Sequence, residues 1–136
     1  MNHPAELVKK FMLAGDQVVD GSDPSQADLY VKLITEEFAE LITSYVNKDD
    51  VELLDATCDL VWVICGLAHS KGWDFIGAFN EVARSNMSKV DDVSGKLLKR
   101  ADGKVLKPAT FSEPELEPFL SMDNQDIDLT AIRMGM

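Results

Sequence analysis

The sequence predicts an all-α fold, a bundle of four to five helices, and three observations carry that prediction. Apolar residues recur at helical spacing through most of the first ninety positions. The breaks between these segments read as helix ends, with Asp23 before Pro24 at one start and Lys71-Gly72 at one stop. The segment from Asp50 to Ser70 is apolar on almost every side, which places it in the middle of a bundle. With 136 residues and 46% hydrophobic content, the chain forms one domain with a true core. That domain is expected over 1–136, with a helical core at about 5–90 and a C-terminal loop and arm at about 91–136.

In chain order, the first helix is expected from Ala5 to Gln17, with Leu7, Val8, Phe11 and Met12 on its apolar face. The loop DGSDPSQ follows. Asp23 then serves as N-cap and Pro24 as first residue of a long helix reaching about Tyr45. Asn47 to Asp50 form a turn into the third helix. A fourth helix runs from about Trp73 to Met87. Beyond it, Asp102-Gly103 between LLKR and KVLK suggests a small hairpin or ordered loop. From Thr110 the chain is acidic and broken by prolines, an extended arm ending in the apolar LTAIRM at 129–134.

Charge narrows the function. Acids number 24 against 13 bases, a net charge of -11, and nucleic-acid polymers and anionic membranes select basic surfaces instead. A small phosphorylated substrate fits only if a cation bridges the charges. The opening MNHPAELVKKFMLAG has no apolar signal region, and LVWVICGLA at 60–68 is too short for a bilayer. The expectation is a soluble, cytoplasmic protein. Cys58 and Cys65 fall on one helix roughly 10 Å apart, too far to pair, and read as small buried hydrophobes.

The chemistry sits in TEEFAELITSYVNKDDVELLDATCD at 35–59. At about 100° per residue, Glu36 and Glu40 stack on one side of the second helix, and Glu37 lies about 60° from Glu40. Glu37 thus borders an inward arc of Ile34, Phe38, Leu41, Ile42 and Tyr45. On the third helix, Asp55 and Asp59 line up with Trp62 and Gly66 and run straight into the apolar segment. A solvated helix face accounts for the glutamates alone, and Asp55 and Asp59 alone read as helix N-terminal acids favoured by the macrodipole, although Asp59 is already some two turns in. Carboxylates converging between packed helices instead repel one another and need divalent cations, and oxygen-only ligands point to magnesium or manganese. Other metal sites lack their ligands: His3 and His69 have no Glu-x-x-His spacing, and there is no Cys/His cluster for zinc.

EEFAEL at 36–41, DATCDLVWVICGLAHSKGWD at 55–74 and EVARSNMSK at 81–89 together resemble the MazG-like all-α nucleotide pyrophosphohydrolases, in the branch similar to phosphoribosyl-ATP pyrophosphohydrolase. GKVLKPATF at 103–111 extends the resemblance, which covers about residues 5–112. It implies a helical bundle assembled as a dimer or dimer of dimers, and magnesium-dependent cleavage of a nucleoside triphosphate to monophosphate and pyrophosphate. It places the EExxE motif on Glu36, Glu37 and Glu40, the later aspartate on Asp59, and metal-site or phosphate contacts on Asn86 and Lys89. One position departs from the pattern: Ala56 stands where the usual ExxD has its glutamate. Asp55 with Asp59 is favoured as the second acidic pair, with Glu52 and Asp55 the literal alternative.

The charges then suggest roles. Magnesium on Glu37, Glu40, Asp55 and Asp59 would grip the phosphates and acidify a water, with Glu36 as base. Lys89, Lys104 and Lys107 are candidates for phosphate neutralisation or plain surface lysines, and Trp62 either stacks on a base or fills the core. The first functional expectation is a housecleaning or pool-controlling triphosphate pyrophosphohydrolase. The alternatives are a phosphoribosyl-ATP pyrophosphohydrolase and a non-catalytic helical interaction module with a degenerate metal site, which the Ala56 departure favours.

Overall fold

The computed structural model describes residues 2–122, and LTAIRM at 129–134 lies outside them. The described residues form four α-helices, α1 (Pro4–Ala14), α2 (Pro24–Val46), α3 (Asp50–Ser70) and α4 (Phe75–Met87), then a 3-10 turn at Glu117–Phe119. Each α-helix starts on a side-chain cap, which satisfies amide donors that have no partner inside the helix. His3 Nδ1 accepts from the Ala5 amide at 3.0 Å, and Asp23 Oδ1 from the Ser25 and Gln26 amides. Asp49 caps α3 through the Glu52 amide, and Asp74 caps α4 through Gly77.

Helix α1 ends three residues before Gln17, the expected limit. The Gly15 amide turns back to the Phe11 and Met12 carbonyls, and Asp16 takes a positive φ of 58°, which breaks the helical path. Gln17 is thereby released to reach Tyr30, whose hydroxyl donates to its Oε1 at 2.7 Å.

Helices α2 and α3 form a long antiparallel hairpin, and α1 packs on α3. The core lies at the end of the hairpin away from the 47–49 turn, where Ala5, Val8, Met12, Tyr30, Val63 and Cys65 are buried together. Burying side chains the size of Val8 and Met12 stabilises by about 1.5–3 kcal/mol each. Both histidines serve this end: His69 Nε2 donates to the Ala5 carbonyl at 2.7 Å, on the same residue whose amide His3 caps. Burial, and secondarily Lys9, holds the His69 pKa down, against the Ala5 hydrogen bond, which raises it.

Two loops close this end by direct backbone contact. Gly21 (φ +83°) and Gly72 (φ +74°) face each other. A Cβ on Gly21 would stand 2.9 Å from the Lys71 carbonyl oxygen, and one on Gly72 2.8 Å from the Asp20 carbonyl carbon.

The opposite half of the hairpin differs from expectation. Phe38, Ile42 and Tyr45 were expected to face inward, yet they are exposed, as are Val51, Leu54 and Val61 of α3. The apolar stripe is real, but within one chain only α1 and α2 pack extensively on α3. Cys58 is likewise exposed, whereas Cys65 is buried.

The tail folds back along α4. Arg84 pairs with Glu81 and donates to the Glu113 carbonyl, while the Glu115 amide donates to Glu81 Oε2 at 2.7 Å. The Asp74 amide reaches the Phe119 carbonyl at 2.9 Å. Between α4 and this arm, the hairpin expected around Asp102-Gly103 is present as isolated antiparallel bridges, Val90 with Leu97 and Lys99 with Val105.

Candidate active site

The register of the hairpin follows from one contact. Gly66 is buried, and the Tyr30 ring occupies the space where its Cβ would stand. Two turns farther along α2, and two turns back along α3, Glu37 comes opposite Asp59. Glu40 then faces Ala56, which is only 3% exposed.

This arrangement brings Glu37, Glu40, Asp55 and Asp59 together. Glu37 is half-buried, and its Oε2 is fully covered with no hydrogen-bond partner among the described residues. Burial raises the Glu37 pKa, and the Glu40, Asp59 and Asp55 carboxylates raise it further. Asp59 is raised in the same way, by burial first and then by Asp55 and Glu40. Every charge acting on these two groups is negative. A buried carboxylate oxygen normally has a hydrogen-bond donor or a cation; among the described residues Glu37 Oε2 has neither, and the one side-chain hydrogen bond that bears on the Glu37 pKa comes from another acid, Glu40.

Glu36 is exposed and is not among the carboxylates acting on Glu37 or Asp59. Beside the four acids, an open cleft of about 340 Å³ is lined by Glu40, Ser44, Glu52, Asp55 and Ala56. Glu52 and Asp55 therefore share a wall, and the small Ala56 leaves the space between them and Glu40 open. Glu52, set second in the sequence reading, joins the candidate set by position. Its signal was the Glu52-Asp55 spacing itself.

The oxygen-only donor set and the unpartnered Glu37 oxygen fit a hard divalent cation. Among the described residues, no three His, Cys, Asp or Glu side chains are drawn close enough to hold an ion as they stand. The fold puts these carboxylates on facing turns of α2 and α3.

The other candidates are elsewhere. Lys89 Nζ donates to Asn86 Oδ1 at 3.0 Å, and Lys89 and Lys107 both lie over the Phe111 ring, 5.8 and 4.8 Å from its centre. Lys104 is exposed in the hairpin, its amide bonded to Asp102. No lysine acts on Glu37 or Asp59, so the described chain does not bring these residues to the acids. Trp62 is 37% exposed and meets Phe11 edge to face, ring centres 5.3 Å apart, so it is neither wholly core nor wholly free.

A model of the phosphoribosyl-ATP pyrophosphohydrolase family matches residues 5–86, which span all four α-helices and the acidic pairs. The chain belongs to that family. As a member of the phosphoribosyl-ATP pyrophosphohydrolase family, it is a nucleotide pyrophosphohydrolase, acting on phosphoric anhydrides. The family match stops at Asn86, so Lys89, Lys104, Lys107 and the folded-back arm lie beyond it. No curated protein matches the chain at a significant level. Among the described residues, no helix is long and apolar enough to cross a membrane.

Proposed function

We propose that the protein hydrolyses a nucleoside triphosphate to the monophosphate and pyrophosphate, using magnesium or manganese held by Glu37, Glu40, Asp55 and Asp59. The carrying observation is the covered, unpartnered Oε2 of Glu37 among acids that raise one another's pKa. Such a group is costly unless a cation completes it. The bound ion would supply charge neutralisation for the phosphate chain and a more acidic water. The chain's own part is to hold four carboxylates on facing turns, with Glu36, exposed and next to Glu37 in sequence, as the group to accept a proton.

The family match supports a second substrate equally well, phosphoribosyl-ATP, cleaved at the same bond. The test is a panel of nucleoside triphosphates and phosphoribosyl-ATP with magnesium, following pyrophosphate and orthophosphate separately. Pyrophosphate release that stops in chelator is expected. Orthophosphate alone, or full activity in chelator, would overturn the proposal, and absence of turnover on every substrate would favour an interaction module.

A homo-oligomer, a dimer or a dimer of dimers, belongs to this reading. Near the acids in sequence, Tyr45 is 69% and Val51 79% exposed, and Phe38, Ile42 and Leu54 are exposed as well, large apolar side chains that a second subunit would cover. A monomer by light scattering, with full activity at micromolar concentration, would refute it. A cytoplasmic setting fits the two unpaired cysteines.

A further inference from the structure

The hairpin groove does not end at the acids. Leu33 lies one turn before Glu37 on α2, and Trp62 one turn beyond Asp59 on α3. From there a concavity of about 540 Å³ opens toward the core, walled by Phe11, Leu29, Tyr30, Leu33 and Trp62. One helical turn advances about 5.4 Å, about the length that one pentose puts between a base and its first phosphate.

The walls suit a flat heterocycle. Phe11 and Trp62 meet at 78°, forming an aromatic corner with ring surface left open, and Phe11 and Leu29 are 56% and 53% exposed. The polar groups at the concavity are mostly committed. Gln26 bonds the Val18 backbone with both ends of its amide and also donates to Ser70 Oγ, and Asp23 caps α2. Gln17 is different. Its Oε1 is held at 2.7 Å by the hydroxyl of buried Tyr30, while its Nε2 has no hydrogen-bond partner among the described residues. A rigidly held amide with spare donors beside an aromatic wall is the usual equipment for reading one edge of a base.

We propose that this concavity is the nucleobase subsite of the substrate, with Trp62 and Phe11 as the stacking wall and Gln17 as the residue that reads the base edge. The inference rests on the pyrophosphohydrolase reading of the acids and adds where the rest of the substrate lies. Gln17 thereby becomes a determinant of base preference, with no part in the cleavage step.

The test measures binding to the full chain with magnesium, by calorimetry, of two probe types. One is the set of α,β-methylene analogues of the four common nucleoside triphosphates, which resist cleavage at the bond in question; the other is inorganic tripolyphosphate, which has no base. Trp62→Leu should weaken the best analogue about tenfold, within the range for loss of one stacked base, and leave both tripolyphosphate binding and the magnesium-induced rise in melting temperature unchanged. Gln17→Glu keeps the acceptor for Tyr30 and removes the donors, so it should change the ranking of the four analogues. If Trp62→Leu fails to fold, Leu29→Gln on the exposed wall should show the same selective loss. Equal loss for nucleotide and tripolyphosphate, or none for either with the ranking unchanged, would overturn the subsite while sparing the acids. A wild type that binds neither probe and gains no stability from magnesium would overturn both.

Discussion

Replacing Asp59 by asparagine removes one negative charge from the group facing Glu37 and should set stability and function against each other. Asp59 interacts with three carboxylates: Asp55 and Glu40 act on it, and it acts on Glu37. For neighbours about 6 Å apart, each repulsion is about 0.7 kcal/mol at the dielectric of water and larger in a less polar site. Salt screening trims such a half-open site, so three pairs sum to roughly 1 kcal/mol. In chelator, Asp59→Asn should therefore melt about 3–5 °C above wild type, given the usual relation for a chain of this length. Magnesium reverses the order. At one hundred times its dissociation constant it adds about 2.7 kcal/mol to wild type. A mutant short of one ligand and bound about a hundredfold more weakly gains about 0.4 kcal/mol at the same concentration. Turnover should fall below about 1% of wild type, the loss expected when a group acting on transition-state charge is removed. The assay is thermal melting of both proteins, each in magnesium and in chelator, beside pyrophosphate release. A mutant that melts below wild type in chelator, with equal magnesium shifts for both, would make Asp59 a structural acid and refute the reasoning.

Three further outcomes are expected. Gly66→Ala gains about 1 kcal/mol of helix propensity but drives a methyl into the Tyr30 ring, and overpacking of about 1–3 kcal/mol or more should leave it less stable by denaturant melt; a mutant as stable as wild type would mean the helices shift apart freely. Glu37 and Asp59 have folded pKa values above their unfolded ones, so the stability they contribute is complete below the ordinary carboxylate range and is lost as pH rises through the raised values. In chelator, wild type should thus gain on a Glu37→Gln, Asp59→Asn variant as pH falls from neutrality toward 5, and a constant difference between the two would contradict the shifts. Glu81 has the opposite sign: Arg84, and then the Glu115 amide, hold its pKa down to about 2, so its contribution is present above the unfolded carboxylate value and disappears as pH falls through about 2. Glu81→Gln should free the arm, seen as faster amide exchange at Glu115 and easier proteolysis near Glu113, with α1 to α3 unchanged; unchanged exchange at Glu115 would show that other contacts hold the arm.

What was legible in the sequence was what local chemistry decides. Asp23-Pro24 starts α2 and Asp50 to Ser70 bounds α3 because caps, proline and a positive-φ glycine act within a few residues. The convergence of Glu37, Glu40, Asp55 and Asp59 was legible too, since helical spacing puts them on stripes that an antiparallel pair brings together. Periodicity, though, tells which face is apolar and not what covers it, so Phe38, Ile42, Tyr45 and Cys58 were read as inward and are exposed. Glu81 and Arg84 look like an ordinary pair three residues apart, and nothing near them in sequence announces that they hold residues 113 and 115. Gln17 gave no signal at all, because its position depends on Asp16 breaking α1 and on a tyrosine from the next helix.

The contact of Gly21 with Gly72 divides the loops of this protein into two kinds for anyone who wishes to rebuild it. At that end the backbones touch with no room for even a methyl group, so an inserted residue, a fusion or a new pair of termini in either loop would pry apart two connections at once. Gly95 and Gly103, around which nothing stands within 4 Å of an added Cβ, are under no such constraint, whereas the 47–49 turn carries the Asp49 cap of α3. The hairpin tip at Gly103 is the better attachment point for a label or a tether, being open and remote in sequence from the acids, whereas the 47–49 turn joins the two helices that carry them.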